Sequence, residues 1–380
     1  MGQQALKSNQ RAGILICGSY GLGNTGDESI LKAILREVRA AAGDEELTVL
    51  SRDPEETAAR HGVRALHMFD LPGILRVMKR ARLYINGGGS LIQDATSRRS
   101  LLYYLYTISA AKKRGCRVLM YGCGIGPVRR AGDMALVRRV LNGSVDAITL
   151  REDASLAELK RFGVDRPEIV LAADPVLSLQ PAPEEETDAL MDRLGLDPRG
   201  NYLGLCLRGW TGFEEKAPVI AQAARYAWER YGLTPVFLSV NHITDGQAAG
   251  RVTAHMDGVP VHVVREPLSS ELMLGLTARM QAMISMRLHG LVFAAGQGVP
   301  LVGIIYDPKV SGFLAYMGQE LCEDLDRLTG DGLRDMLERA LALRGDRASL
   351  RAAVDRLRRL EANNSAVLRR LLAGGAEVSP

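Results

Sequence analysis

Ser285-Met286-Arg287-Leu288-His289-Gly290 places a guanidinium, an imidazole and a glycine in one short stretch, a set suited to holding an anion and passing a proton beside it. Residues 282–285 are an apolar run that reads as a buried strand. Residues 291–296 read as a helix whose first amides and dipole favour phosphate. His289 therefore stands at the helix start, beside the place an anion would take. A histidine by itself is more often a satisfied structural residue; the company of Arg287, Gly290 and a strand end turns the reading to function. Residues 301–305 are the next apolar run, so Lys309 in Tyr306-Asp307-Pro308-Lys309 lies at a neighbouring strand end. Gly124-Ile125-Gly126-Pro127-Val128-Arg129-Arg130 ends a strand in the first half, and the planar fork of Arg129 at that rim can grip a carboxylate. Arg208, just after the run 202–207, is a further rim cation, suited to an acceptor.

Two glycine-rich segments extend the list. Gly21-Leu22-Gly23-Asn24-Thr25-Gly26 has the spacing of a dinucleotide-binding turn, but Asp27 and Glu28 follow at the helix N-terminus, where their charge repels a pyrophosphate. The loop reads instead as a close-approach segment that turns Asn24, Asp27 and Glu28 into a cleft, toward sugar hydroxyls. Plain capping by Asp27 is an equal reading. Gly87-Gly88-Gly89-Ser90 with Gln93-Asp94 ends a strand that is apolar on both faces. Three glycines exceed what a tight turn needs, so Gly88, Gly89, Ser90 and Gln93 are expected to meet a ligand. Asp174 before Pro175 reads as a turn former, and Asp324-Leu325-Asp326, in an acidic helical stretch, matches a metal-nucleotide motif by spacing alone.

These residues can act together only if strand ends gather on one cleft. The first half repeats apolar run, glycine turn and helical stretch, with strands predicted at 13–18, 47–50, 83–86, 117–121, 147–150 and 169–171. A second set follows at 202–207, 236–240, 261–264, 282–285 and 301–305. Pro181, Pro183, Glu184-Glu185-Glu186 and Pro198 break the pattern between them. The expected fold is α/β: two doubly wound Rossmann-like domains at 1–178 and 201–345 facing a central cleft, a linker at 179–200, and a C-terminal helix and tail at 346–380.

Composition agrees and excludes. With 380 residues and 47% hydrophobics the chain can fill two cores, and a net charge of +4 with interspersed signs announces no nucleic-acid face. Five scattered cysteines read as reduced and buried, and no metal-ligand spacing occurs, so no metal is expected. The N-terminus lacks the apolar core of a signal peptide and no apolar run is long enough to span a membrane. A cytoplasmic chain is expected, touching a membrane at most peripherally, through the basic C-terminal helix with Arg356, Arg358 and Arg359.

Taken in order, Gly18-Ser19-Tyr20-Gly21-Leu22-Gly23-Asn24 with Gly26-Asp27-Glu28, Gly87-Gly88-Gly89-Ser90-Leu91-Ile92-Gln93-Asp94, Gly124-Ile125-Gly126-Pro127, Ala173-Asp174-Pro175 and Ser285-Met286-Arg287-Leu288-His289-Gly290 resemble the polysaccharide pyruvyl transferase family. The likeness is to its CsaB type, the enzymes that pyruvylate secondary cell-wall polymers in bacteria with S-layers, and it covers nearly the whole chain. The resemblance implies a GT-B-like fold and phosphoenolpyruvate as donor with no cofactor. It also implies a lipid-diphosphate-linked acceptor containing N-acetylmannosamine and work at the inner face of the cytoplasmic membrane; the oligomeric state, a homo-oligomer included, is not read from the sequence. It carries donor binding onto Arg129, His289 and Lys309.

Ketal formation then assigns His289 as an imidazolium acid. Arg129 holds the carboxylate, and Arg287, Lys309 and the helix start at Gly290 hold the phosphate. Asp27, Glu28 or Asp94 is the base; the sequence does not choose. A nucleotide-sugar glycosyltransferase with the same cleft is the alternative, followed by a non-enzymatic polysaccharide-binding module.

Overall fold

A computed structural model describes residues 11–343 and 347–374. Its N-terminal half runs β1 (Ile14–Cys17), α1 (Thr25–Ala42), β2 (Leu47–Ser51), α2 (Pro54–His61), β3 (Arg64–His67), α3 (Leu71–Arg80) and β4 (Leu83–Ile92). It continues through α4 (Arg98–Lys113), β5 (Arg117–Ile125), α5 (Ala131–Ser144), β6 (Ala147–Leu150), α6 (Asp153–Phe162) and β7 (Glu168–Leu171). After α7 (Glu184–Arg193) come β8 (Tyr202–Cys206), α8 (Phe213–Tyr231), β9 (Thr234–Leu238), α9 (Asp245–Thr253), β10 (His262–Val264) and α10 (Ser270–Ala278). The rest is β11 (Met280–Ser285), α11 (Leu288–Gly296), β12 (Leu301–Ile305), α12 (Pro308–Met317), β13 (Cys322–Asp324), α13 (Gly330–Ala342) and α14 (Arg347–Leu372).

Local chemistry explains the elements that matter for the site. The ILIC run of β1 is buried throughout, as a central strand covered on both faces must be. In α1 the Asn24 side chain accepts from the Gly26 and Asp27 amides, and Ile30, Leu31, Ile34, Leu35 and Val38 form the apolar stripe.

The strands form two parallel sheets, β3-β2-β1-β4-β5-β6-β7 and β10-β9-β8-β11-β12-β13. In each, the chain reverses its direction of travel at the centre, between β1 and β4 and between β8 and β11, where open α/β sheets leave a crevice for ligands. β3 and β13 escaped the sequence reading because both are edge strands without an apolar run: RALH in β3 has no fully buried residue, and β13 is CED. The Asp324-Leu325-Asp326 stretch is thus a strand end entering a short 3₁₀ turn, not a helix.

Segment 179–200 contains α7, which leans on the C-terminal sheet's helices: Ala182 N–H donates to Glu271 C=O at 2.9 Å and Arg279 pairs with Asp188 at 2.6 Å. One apolar cluster includes α1, α10, α11 and α14 and is shared by both halves. Two others fill the outer faces of the N-terminal and C-terminal sheets.

The long helix α14 returns from the second half to the first. Arg358 donates to Gly296 C=O at 2.8 Å, whereas Asn363 and Asn364 donate to Leu171 and Ala173 C=O at 2.8 and 2.9 Å. Arg356 is likewise bound to Tyr316 C=O. Arg356 and Arg358 tie α14 to the C-terminal half and Asn363 and Asn364 tie it to the N-terminal half, while Arg356, Arg358 and Arg359 all remain exposed along the helix. Among the described residues no helix is long and apolar enough to cross a bilayer.

Candidate active site

The two sheets meet at the start of α1. Thr25 N–H donates to Val240 C=O at 2.8 Å, Asn24 and Asn241 form an isolated bridge, and Ser29 Oγ donates to Ser270 Oγ at 2.8 Å. Such contact needs absent side chains: a Cβ on Gly26 would lie 2.1 Å from His289 Nδ1, and one on Gly23 2.4 Å from His242 Cε1. Two of the three glycines that mimic a dinucleotide turn, Gly23 and Gly26, therefore admit the other domain, whereas Gly21 packs on Ser51 and Asp53 of its own half. A cleft cavity of about 210 Å³ opens beside this seam.

The C-terminal wall is cationic. Arg287, just ahead of α11, is held through its Nε by both oxygens of buried Asp245, at 3.1 and 3.0 Å. Lys309 sits in the first turn of α12 rather than in a loop, with Nζ 3.2 Å from Asp307 and 5.3 Å from the Tyr306 ring centroid. Arg208 lies over Trp210 and Tyr306, 5.1 and 4.8 Å from their centroids, and donates to the Tyr306 hydroxyl at 3.0 Å. Two nitrogens here, Arg208 Nε and His289 Nε2, are buried without a hydrogen-bond partner among the described residues. Unpaired buried nitrogens cost stability unless a ligand meets them.

The N-terminal wall carries Ser19, Asn24, Asp27, Gly89, Ser90, Gln93 and Thr96, with Gly126 and Pro127 at its edge. Among the described residues its lining cation is Arg151, 3% exposed, at the end of β6. Arg151 donates to Glu152 at 2.8 Å, to Asp174 at 3.4 Å and to Ser90 Oγ at 2.9 Å. Burial opposes its charge, and Glu152 and Asp174 outweigh that, holding its pKa above the usual arginine value. Gly124 leaves room for it: a Cβ there would come 2.8 Å from Arg151 Nη2.

Two titratable groups meet at the seam with shifted pKa values. Burial, then repulsion by Arg151, Lys309 and Arg287, pushes the His289 imidazole down to about 3, so the ring is neutral near pH 7. A neutral ring is placed to accept a proton, whereas the sequence reading cast His289 as an imidazolium acid. Burial and then the adjacent Glu28 push the Asp27 carboxyl up to about 7, against the pull of Arg151, Lys309 and Arg287. Asp174 Oδ2 stands 3.8 Å from His289 Nε2, and burial raises its carboxyl too, against the nearby Arg151.

Of the residues picked out by sequence, the cavity gathers Asn24, Asp27, Gly89, Ser90, Gln93, Arg208, Arg287, His289 and Lys309. Others lie elsewhere. Glu28 points along a different face of α1, where its carboxylate accepts from Gly21 N–H at 2.8 Å and contacts His61 Nε2 at 3.3 Å. That side lines a separate cavity of about 700 Å³. Asp94 is occupied in accepting the Arg129 and Arg130 amides at 2.9 to 3.1 Å, so it is not placed to act as base. Arg129 is exposed and lines no part of the cleft cavity; buried Arg151 is the cation of that wall. Gly88 packs on Ile30 and Gly290 on Ser285 and Cys206, so both serve packing; Gly89 alone of the glycine triplet opens to the cavity.

Arg151, Asp245 and Thr96 were missed, whereas Asp174, read as a turn former, does accept from Val176 N–H at 3.1 Å while also meeting Arg151. Arg151 did carry a signal, its position directly after an apolar run, masked by the solvated look of Arg151-Glu152-Asp153. Among the described residues no cluster of three or more His, Cys, Asp or Glu could hold a metal ion.

No curated protein matches the chain. A glycosyltransferase from Rickettsia africae superposes with a TM-score of 0.63 at 10% identity, over 96% of this chain and 100% of that one. UDP-GlcNAc 2-epimerase from Methanocaldococcus jannaschii gives 0.61 at 12%, over 87% and 92%. Anabaena HepE in complex with UDP-glucose gives 0.60 at 10%, over 96% and 99%. At such identities the likeness is one of fold, the GT-B arrangement of two Rossmann-like domains. The model of the family described as polysaccharide pyruvyl transferase matches residues 24–308. That span runs from the cap of α1 to the start of α12 and takes in residues from both walls of the cleft: the chain belongs to the polysaccharide pyruvyl transferase family and is a transferase.

Proposed function

We propose that the cleft takes phosphoenolpyruvate as donor and builds a pyruvyl ketal on two hydroxyls of a sugar, releasing phosphate. The observation that carries this reading is the convergence of Arg151 with Arg208, Arg287 and Lys309 around Asp27 and His289 in one small cavity. A carboxylate and a phosphate on a three-carbon frame need several cations close together, and the fork of an arginine fits either group. Neutral polar groups on the opposite wall suit sugar hydroxyls.

In this reading Asp27 supplies the proton. Its carboxyl, pushed up to about 7, gives a proton to the methylene carbon, turning it into the methyl group. One sugar hydroxyl bonds to the central carbon and passes its proton to the neutral ring of His289. The C–O bond to phosphate then breaks, the phosphate leaves with the bonding electron pair, and the second hydroxyl closes the ketal as its proton is lost to the phosphate. A bound trianion offsets the three cations that depress His289, so the ring gains basicity when the donor is seated. The acceptor is proposed to be a lipid-diphosphate-linked saccharide with an N-acetylmannosamine-type sugar, a cell-wall polymer precursor met on the cytoplasmic side of the membrane.

Phosphate release from phosphoenolpyruvate, measured with a panel of lipid-diphosphate disaccharides, tests the reading. Release that depends on an acceptor diol supports it. No release with any acceptor, together with tight binding of a uridine nucleotide, would replace it with a glycosyltransferase.

A further inference from the structure

We infer that the N-terminal ends of α3, α4 and α5 form a docking face for an anionic phospholipid surface at the mouth of the cleft. The inference rests on the lipid-linked acceptor just proposed, and its observations are independent of the cavity. In a parallel sheet each helix starts at the end of the strand before it, so α3, α4 and α5 present their N-termini on the cleft side, after β3, β4 and β5. Gln93 and Thr96, ahead of α4, and Pro127, ahead of α5, already line the cleft.

This border is apolar and cationic in turn. Phe69 and Leu71, at the start of α3, are 55% and 40% exposed, far more than large apolar side chains need be. Phe69 meets Tyr103 of α4 edge to face at 5.7 Å, and the Tyr103 hydroxyl donates to Met68 C=O at 2.6 Å, so the two helix starts form one surface. Tyr106, one turn further along α4, is 47% exposed. Arg99 of α4 and Arg129 and Arg130 ahead of α5 are exposed.

The carboxylates of the same border are engaged by partners, and one of them is buried. Asp70 accepts from Gly73 N–H at 3.0 Å, Asp94 from the Arg129 and Arg130 amides, and Asp133, 2% exposed, pairs with Arg98 at 2.9 Å. Exposed arginines beside aromatic and aliphatic side chains, with the nearby acids engaged by backbone amides or by Arg98, complement a surface of lipid phosphates. The positive ends of three helices add to that attraction. The arrangement also gives Arg129 a place outside the donor site.

Flotation with vesicles of phosphatidylcholine, alone or mixed with phosphatidylglycerol, tests the face without any turnover. The full chain is expected to float with the anionic vesicles and to release at high salt. Arg99→Glu with Arg130→Glu should lower that partition at least about tenfold, and Phe69→Ser with Leu71→Ser should lower it on both vesicle types. Both double variants should melt as the parent does and release phosphate from phosphoenolpyruvate with a short-chain soluble acceptor at the parent rate. A parent chain that stays with the pellet, variants that float like the parent, or binding to duplex DNA in place of vesicles would each overturn the inference. Flotation without any phosphate release would leave the face standing and remove the proposed phosphoenolpyruvate donor instead.

Discussion

The wall of the cleft built from β1 and β4 is lined by the neutral groups Ser19, Asn24, Ser90, Gln93 and Thr96, whereas the facing wall from β8, β11 and β12 carries Arg208, Arg287 and Lys309. Aromatic rings back the second wall and carboxylates pin its cations: Tyr306 lies under both Arg208 and Lys309, and Asp245 holds Arg287. Among the described residues, the comparable bracing of the first wall is that of Arg151 by its acid partners. In the function proposed above, this difference goes with a small anionic donor on the C-terminal wall and a hydroxyl-rich acceptor on the N-terminal one. The reacting bond then lies at the seam, where Asp27 and His289 meet.

Removing the proton at the seam should have the largest effect. Asp27→Asn is expected to lower kcat about 10²–10⁴-fold, and the wild-type rate should decline as pH rises past about 7, because only the protonated carboxyl acts. The sign for stability runs the same way. A carboxyl raised from 3.8 to about 7 weakens the fold increasingly as pH climbs through that window, so Asp27→Asn should raise Tm at pH 8 and leave it unchanged at pH 3. Activity within tenfold of the parent would remove Asp27 as the acid.

Next comes the geometry of the seam. Gly26→Val puts side-chain carbon where a Cβ already falls 2.1 Å from His289 Nδ1. Pushing the walls apart by about an ångström should cost roughly 10²-fold in kcat/KM for donor and acceptor alike. A loss confined to one substrate would contradict the shared seam.

The walls themselves should separate in steady-state kinetics. Lys309→Ala is expected to raise KM for phosphoenolpyruvate about tenfold or more and spare the acceptor, and Gln93→Ala to do the reverse at roughly a few-fold. Matching effects of the two variants on both substrates would erase the division. The smallest effect belongs to Arg129→Ala: with a soluble acceptor its KM for phosphoenolpyruvate should stay within about twofold of the parent, since the side chain is exposed and outside the cavity.

Much of this was legible in the linear chain, for reasons that are local. Apolar runs ending in glycine announced the central strands, since a strand covered on both faces has to be apolar throughout. The edge strands β3 and β13 carried no such run. Arg287, His289 and Lys309 were marked by strand ends that the parallel topology places together.

Spacing could not separate Asp27 from Glu28. Adjacent helical positions differ by about 100°, which sends one carboxylate into the cleft and the other to His61. Nor could it separate Arg129 from Arg151, both placed at strand ends: one is exposed beside Asp94, and the other is enclosed by Glu152, Asp174 and Ser90.

The sequence by itself determined the fold class, the order of the elements and the chemical kinds of group that end the central strands, because periodicity and turn residues act over a few positions. Only the tertiary structure decided which of those groups share a cavity and which of them holds a proton. Desolvation and the pull of distant charges depend on residues brought near from both halves of the chain, as Arg151, Arg287 and Lys309 are around His289.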